Sequence, residues 1–185
     1  MSKFFIEIGT SDFDTCEELA EKGWNGIFIE PVKELLDNLK PINGCVYENC
    51  AVLDRMDTMT IKYYDPAWAE GWVRGVGTLS LDINHMNSNP QWKEHEREAQ
   101  VPVVTLDYLI DKYEVKHIDY LKIDIEGGEY LILDNYSFKI KPDVMKIEYE
   151  HWLTRDIAPR KYIDMLQGMG YTVSKDEHDL LAVLQ

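Results

Sequence analysis

The chain has no uninterrupted apolar run near the roughly 18 residues of a membrane-spanning helix, and none is expected. Its first residues, Met1-Ser2-Lys3-Phe4-Phe5-Ile6-Glu7, reach a carboxylate too early for a signal peptide, so a cytoplasmic protein is expected. Cysteine is scarce. Cys16, Cys45 and Cys50 show no paired metal spacing and no disulfide framework, and are expected to be reduced packing thiols. Basic residues are also few: 19 Lys and Arg face 34 Asp and Glu, a formal charge of −15. With no basic stripe, such a surface repels phosphate backbones and anionic lipid, which argues against nucleic-acid and membrane partners. It suits a small molecule that is neutral or carries a cationic centre, and it also serves solubility. Internal repeats and low-complexity tracts are absent.

What is present is an ordinary globular composition, 45% hydrophobic and 29% charged, over 185 residues. That length suits a single domain spanning residues 1–185. Short apolar strands alternate with helix signals. Strands are expected at 4–8, 27–29, 45–49 and 58–64, with helices at 15–22, capped by Asp14 or Thr15, and at 32–40, opened by Pro31. This strand–helix alternation predicts a parallel α/β sheet. Residues 65–100 break the rhythm with Trp68, Trp72, Trp92, Asn84-His85 and Asn87-Ser88-Asn89. So long an irregular connection suits a substrate-side binding loop, or a surface excursion packed on the core. Beyond it, strands are expected at 101–105, 119–125 and 144–150, and helices at 106–113, 129–135 and 158–169. A closing hairpin pairs 171–175 with 180–184.

Asp119-Tyr120-Leu121-Lys122-Ile123-Asp124-Ile125-Glu126-Gly127-Gly128-Glu129 is the most informative stretch. It places Leu121, Ile123 and Ile125 on one face and Lys122, Asp124 and Glu126 on the other, then breaks at two glycines. Charges on a strand expected to be central need partners or a function. For Lys122 the expected partner is Glu7 on the neighbouring strand. Ligands of open α/β sheets bind beyond the carboxyl ends of the strands. There Gly9 lets a ligand approach the backbone, while the missing second and third glycines argue against a dinucleotide fold and hence a nicotinamide oxidoreductase. Asp12 and Asp14 suit a ligand with an ammonium group rather than phosphates. Glu30, ending the second strand, can accept hydrogen bonds from ribose hydroxyls or cap the next helix.

Glu7-Ile8-Gly9-Thr10, Ile29-Glu30-Pro31, Cys50-Ala51-Val52, Thr105-Leu106-Asp107 and the 119–129 stretch together resemble the FkbM-type methyltransferases over residues 4 to about 150. The resemblance implies a Rossmann-like class I methyltransferase sheet of about seven strands, mostly parallel with an antiparallel last strand, and helices on both faces. It implies S-adenosylmethionine as donor and O-methylation of a small hydroxylated acceptor, such as a sugar or natural product. Carried over by position, the cofactor-binding set is Glu7, Gly9, Thr10, Ser11, Asp12, Glu30, Pro31, Cys50, Ala51 and Asp124. Phe13-Asp14 stands where relatives carry a small residue. The proton of the acceptor falls to Asp124, Glu126 or His151. Asp124, Glu126, Glu129, Glu148 and Glu150 offer oxygen ligands compatible with Mg²⁺ or Ca²⁺, but Glu126 and Glu129 equally suit the first turn of a helix, and no metal-ligand set is assigned. A non-catalytic nucleoside-binding or regulatory module on the same fold is the alternative reading.

Overall fold

Near-continuous apolar runs build the central strands, because each must bury both faces under helices. The computed structural model describes residues 2–12, 15–75, 77–78 and 90–185. Phe13, Asp14, Asn84, His85, Asn87, Ser88 and Asn89, on which expectations rested, lie outside the described residues, as does the side chain of Trp72.

Strands β1 (Phe4–Ile8), β2 (Asn25–Ile29) and β3 (Cys45–Glu48) are joined through helices α1 (Glu17–Glu21) and α2 (Lys33–Asn38). A small second sheet follows, made of β4 (Ala51–Val52), β5 (Asp57–Tyr64), β6 (Gly77–Thr78) and β7 (Glu96–Val104) in the order β4-β7-β5-β6. The chain then returns to the main sheet through α3 (Leu106–Lys112), β8 (Tyr120–Ile123), α4 (Glu129–Asn135) and β9 (Val144–Glu148). Helix α5 (Pro159–Gly168) leads to the closing hairpin β10 (Tyr171–Lys175) and β11 (Asp179–Leu184). The main sheet has seven strands in the order β10-β11-β9-β8-β1-β2-β3. β1, β2, β3, β8 and β9 pair in parallel, and β11 runs antiparallel to both β9 and β10.

One face of this sheet presents Ile6, Ile8, Ile27, Ile29, Leu121, Ile123, Met145 and Ile147 to residues of α3, α4 and α5. The other presents Phe5 and Phe28 to Ala20 of α1 and Leu36 of α2. Phe28 stacks on Tyr47 with ring centroids 5.1 Å apart, extending that apolar layer to the edge strand. Cys16 and Cys50 are buried, and burial pushes the Cys50 thiol up to about 12, which keeps it a protonated packing group.

Several boundaries differ from expectation. α1 begins at Glu17, and its Cys16 N–H donates to Glu7 Oε2 at 2.9 Å, so a buried carboxylate of β1 tethers the helix start. Thr15 sits just before it, its Oγ1 accepting from Glu17 N–H. Pro31 precedes α2 by two residues instead of opening it, because Val32 is extended at ψ 106°. The strand expected at 58–64 belongs to the second sheet, and β7 starts at Glu96 rather than 101. Pairing along the whole length of β5, from Asp57↔Val103 to Tyr64↔Glu96, draws the polar residues 96–100 into strand. The rest of the 65–100 connection includes short 3₁₀ segments at Gly71–Gly75 and Pro90–His95 and the short β6.

Candidate active site

The carboxyl ends of β1, β2, β8 and β9 carry the candidate residues on one edge of the sheet. Here β1 turns sharply at Gly9, whose φ of +81° favours a residue without a side chain. A Cβ on Gly9 would lie 1.7 Å from the Asp124 carbonyl oxygen, so the turn rests directly on the end of β8. Gly9 and Thr10 N–H both donate to Ile29 O, at 3.0 and 3.1 Å. Thr10 Oγ1 accepts from Ile29 N–H at 3.2 Å. Ser11, itself at φ +52°, donates its N–H to Glu30 Oε2 at 2.8 Å. The other Glu30 oxygen accepts from Val32 N–H at 2.8 Å. Glu30 therefore ties the first loop to the start of α2, and with about four lone-pair sites a carboxylate retains further accepting capacity. Its burial pushes its pKa up to about 7, against the pull of those two amides. Asn49 Nδ2 clamps the neighbouring carbonyls of Glu30 and Pro31, each at 2.9 Å.

Glu7 and Lys122 face each other across β1 and β8, in register and 3.3 Å apart, with Glu7 fully buried and Lys122 5% exposed. Burial raises Glu7 to about 7 while the Lys122 ammonium holds it down. Glu7 is thus a structural member of the set, as its Cys16 contact also indicates. Lys122 also lies 3.7 Å from Asp124. Asp124 is raised by burial, with Lys122 opposing and Glu126 adding to the shift. Cys50 and Ala51 are 3% and 4% exposed and pack into apolar clusters, leaving their backbone as the part able to meet a ligand.

Asp12 does not present a bare carboxylate. Arg74 Nε lies 2.9 Å from both of its oxygens, Arg74 Nη2 is 2.5 Å from Oδ2, and Asn38 Nδ2 adds a contact at 2.9 Å. The ammonium-binding role expected of Asp12 must therefore share a carboxylate already neutralised by a guanidinium. Arg74, unforeseen from sequence, joins the tryptophan-rich connection to the first loop. The adjacent Val73 packs with Trp68 and Trp92 against Tyr64 and Ala69. Trp68 stacks on His95 at 4.0 Å and with Trp92 lines a cleft of about 540 Å³, so the tryptophans both pack and wall a cavity.

Glu126 lies in the turn after β8 at φ +61°, and His151 lies in the 3₁₀ turn Glu150–Arg155 after β9. Their Oε2 and Nε2 atoms are 3.0 Å apart, a contact that raises the imidazole pKa. Glu148 is pushed up to about 10, first by burial and then by Asp124 and the neighbouring glutamates. Glu129 does not join them: fully buried, it accepts from Ile125 and Gly127 N–H and from Trp152 Nε1, which fastens the 125–128 turn. The structure thus gathers Gly9, Ser11, Glu30 and Asp124 around the first loop and Glu126, Glu148 and His151 beside the next strand.

A seven-stranded sheet with this order and a reversed β11, and a glycine turn resting on the end of β8, define a Rossmann-like methyltransferase architecture. The profile of the methyltransferase FkbM domain matches residues 7–173, and the chain belongs to that family. A search of curated proteins finds no match. Among the described residues, no helix is long and apolar enough to cross a membrane.

Proposed function

We propose that this protein transfers a methyl group from S-adenosylmethionine to a hydroxyl oxygen of a small acceptor, such as a sugar or natural product, in the cytoplasm. The observation that carries this reading is the convergence of the Gly9 turn, Glu30 and Asp124 at one sheet edge, in a chain of a methyltransferase family. The residues fit the donor. Ser11 Oγ is buried with no hydrogen-bond partner among the described residues, Glu30 keeps spare lone pairs, and the acidic surroundings suit a sulfonium.

When bound, S-adenosylmethionine supplies an activated methyl group whose bond to sulfur breaks with the electron pair staying on sulfur. Glu30 accepts from the ribose hydroxyls, the backbone of Gly9, Thr10 and Ser11 holds the methionine part, and the backbone of Cys50 and Ala51 borders the adenine. Asp124 takes the proton of the acceptor hydroxyl as its oxygen bonds to the methyl carbon. The partly exposed faces of Trp68 and Trp92 offer a wall for a sugar ring. Positioning then supplies most of the acceleration.

Calorimetry with S-adenosylmethionine tests this. Saturable binding is expected, weakened by roughly 10- to 150-fold in Glu30→Ala, the scale of a hydrogen bond to a charged group. Binding without methyl transfer to any hydroxylated acceptor would favour a nucleoside-binding module, and no binding at all would refute the reading.

A further inference from the structure

We infer that Arg74 receives the carboxylate of the donor's amino-acid end, so that Asp12 and Arg74 together form a receptor for a zwitterion at the first loop. The inference rests on the methyl-transfer reading and adds to it a residue that reaches the loop from the tryptophan-rich connection. A guanidinium is a planar fork of N–H donors with two edges suited to a carboxylate, Nε with Nη2 and Nη1 with Nη2. Asp12 takes the first edge: Nε lies 2.9 Å from both of its oxygens and Nη2 2.5 Å from Oδ2. Among the described residues no group bonds to Nη1, and the Arg74 side chain is 30% exposed, so the second edge stays available. Asp12 is not saturated either. Its Oδ2 accepts from Nε, Nη2 and Asn38 Nδ2, whereas Oδ1 shares only the Nε–H and keeps lone pairs for an ammonium.

A second observation points to a ligand at this loop. Ser11, the residue before Asp12, is 9% exposed, and its Oγ has no hydrogen-bond partner among the described residues. A buried hydroxyl without a partner is costly, and a charged group bound beside it removes that cost. The two charges of an α-amino acid sit on one carbon, the same side-by-side arrangement that Asp12 and Arg74 present in opposite sign. Electrostatics calls for the cation. A chain of formal charge −15, with Glu30 and Asp124 at the same sheet edge, draws in a sulfonium but repels a bare carboxylate. Arg74 offsets that repulsion with a guanidinium whose orientation Asp12 already holds, so little side-chain freedom is lost on binding.

The experiment is a calorimetric titration of the full chain with S-adenosylmethionine and with decarboxylated S-adenosylmethionine, which lacks only the carboxylate. It compares the wild type with Arg74→Ala and Arg74→Lys. Removing the carboxylate from the ligand should weaken wild-type binding about 10-fold or more, and Arg74→Ala should weaken S-adenosylmethionine by a similar factor. The decarboxylated compound should lose little further in Arg74→Ala, the pattern of two partners in one contact. Arg74→Lys, which keeps the charge without the fork, should recover part of the loss. If Arg74→Ala does not fold, the two ligands compared in the wild type and in Arg74→Lys decide. Equal losses for both ligands on substitution, the mark of a merely structural clamp, overturn the inference, as does a carboxylate whose removal costs no wild-type affinity. Those outcomes leave the methyl-transfer reading standing, whereas absence of S-adenosylmethionine binding to the wild type refutes that reading and the inference with it.

Discussion

Replacing Lys122 with methionine removes the cation opposite Glu7 and keeps the length of the side chain. At the observed 3.3 Å the attraction is worth about 5 kcal/mol at an effective dielectric near 20, before desolvation is subtracted. Breaking one partner of a buried pair costs about 3–5 kcal/mol, because the remaining charge is stranded. For a chain of this length that is a drop of roughly 6–20 °C in melting temperature. The sign with pH is specific. Glu7 has a folded pKa raised to about 7 from 4.5, so its contribution to stability is complete below 4.5 and is lost as pH rises through 7. Without Lys122 that folded pKa moves higher, and the loss continues to higher pH. The mutation should therefore cost little near pH 5.5, where Glu7 is mostly protonated in both proteins. At pH 8.5 it should cost more, by about 1.4 kcal/mol for each unit of further rise. Urea denaturation at the two pH values measures both. Glu7→Gln combined with Lys122→Met should recover much of the stability at pH 8.5, since the amide oxygen can still accept from Cys16 N–H. A cost equal at both pH values, or a double variant as unstable as the sum of the single ones, would refute the reasoning.

Gly9→Ala places a methyl group on the Asp124 carbonyl and holds a non-glycine residue at φ +81°, so strain of about 1–3 kcal/mol and a displaced first loop are expected. Donor affinity measured by calorimetry should fall, and unchanged affinity with unchanged stability would count against the turn's role. Glu30 is likewise raised to about 7, so its share of stability is present below pH 4.5 and lost through pH 7. Glu30→Gln should flatten that part of the stability–pH curve, read by thermal melts across pH 4.5 to 8.5, while still weakening the donor. Arg74→Ala frees Asp12 and loosens the connection from the first loop. A stability loss of about 1–2 kcal/mol is expected, since the pair is partly buried and bonded through two guanidinium nitrogens. Hydrogen exchange of residues 9–12 should rise with it, and unaltered exchange would show that the clamp is not needed.

The strands and helices of the main sheet were legible because their signals are local, while the count of about seven strands with a reversed last one followed from the family resemblance. Alternation through Leu121, Lys122, Ile123 and Asp124, glycine at the first turn, and the hairpin residues at 176–179 each depend on near neighbours in the chain. The Glu7–Lys122 pair followed from the expected adjacency of their strands, and the cluster at the sheet edge from the rule that ligand sites lie beyond strand carboxyl ends. The second sheet was not legible in the same way. β4 has two residues and no period to read, and the polar 96–100 segment becomes strand only because β5 offers it a hydrogen-bonding edge.

By itself, then, the sequence determined most strands and helices of the main sheet and which charges would need partners, since both follow from side-chain chemistry and spacing. Tertiary structure alone decided that Arg74 would occupy Asp12, that Glu129 would fold back on its own turn, and that Glu126, Glu148 and His151 would meet. Those contacts join segments whose separation is set by strand register and loop path. That register is chosen by the burial of whole apolar faces, which no single stretch of residues specifies.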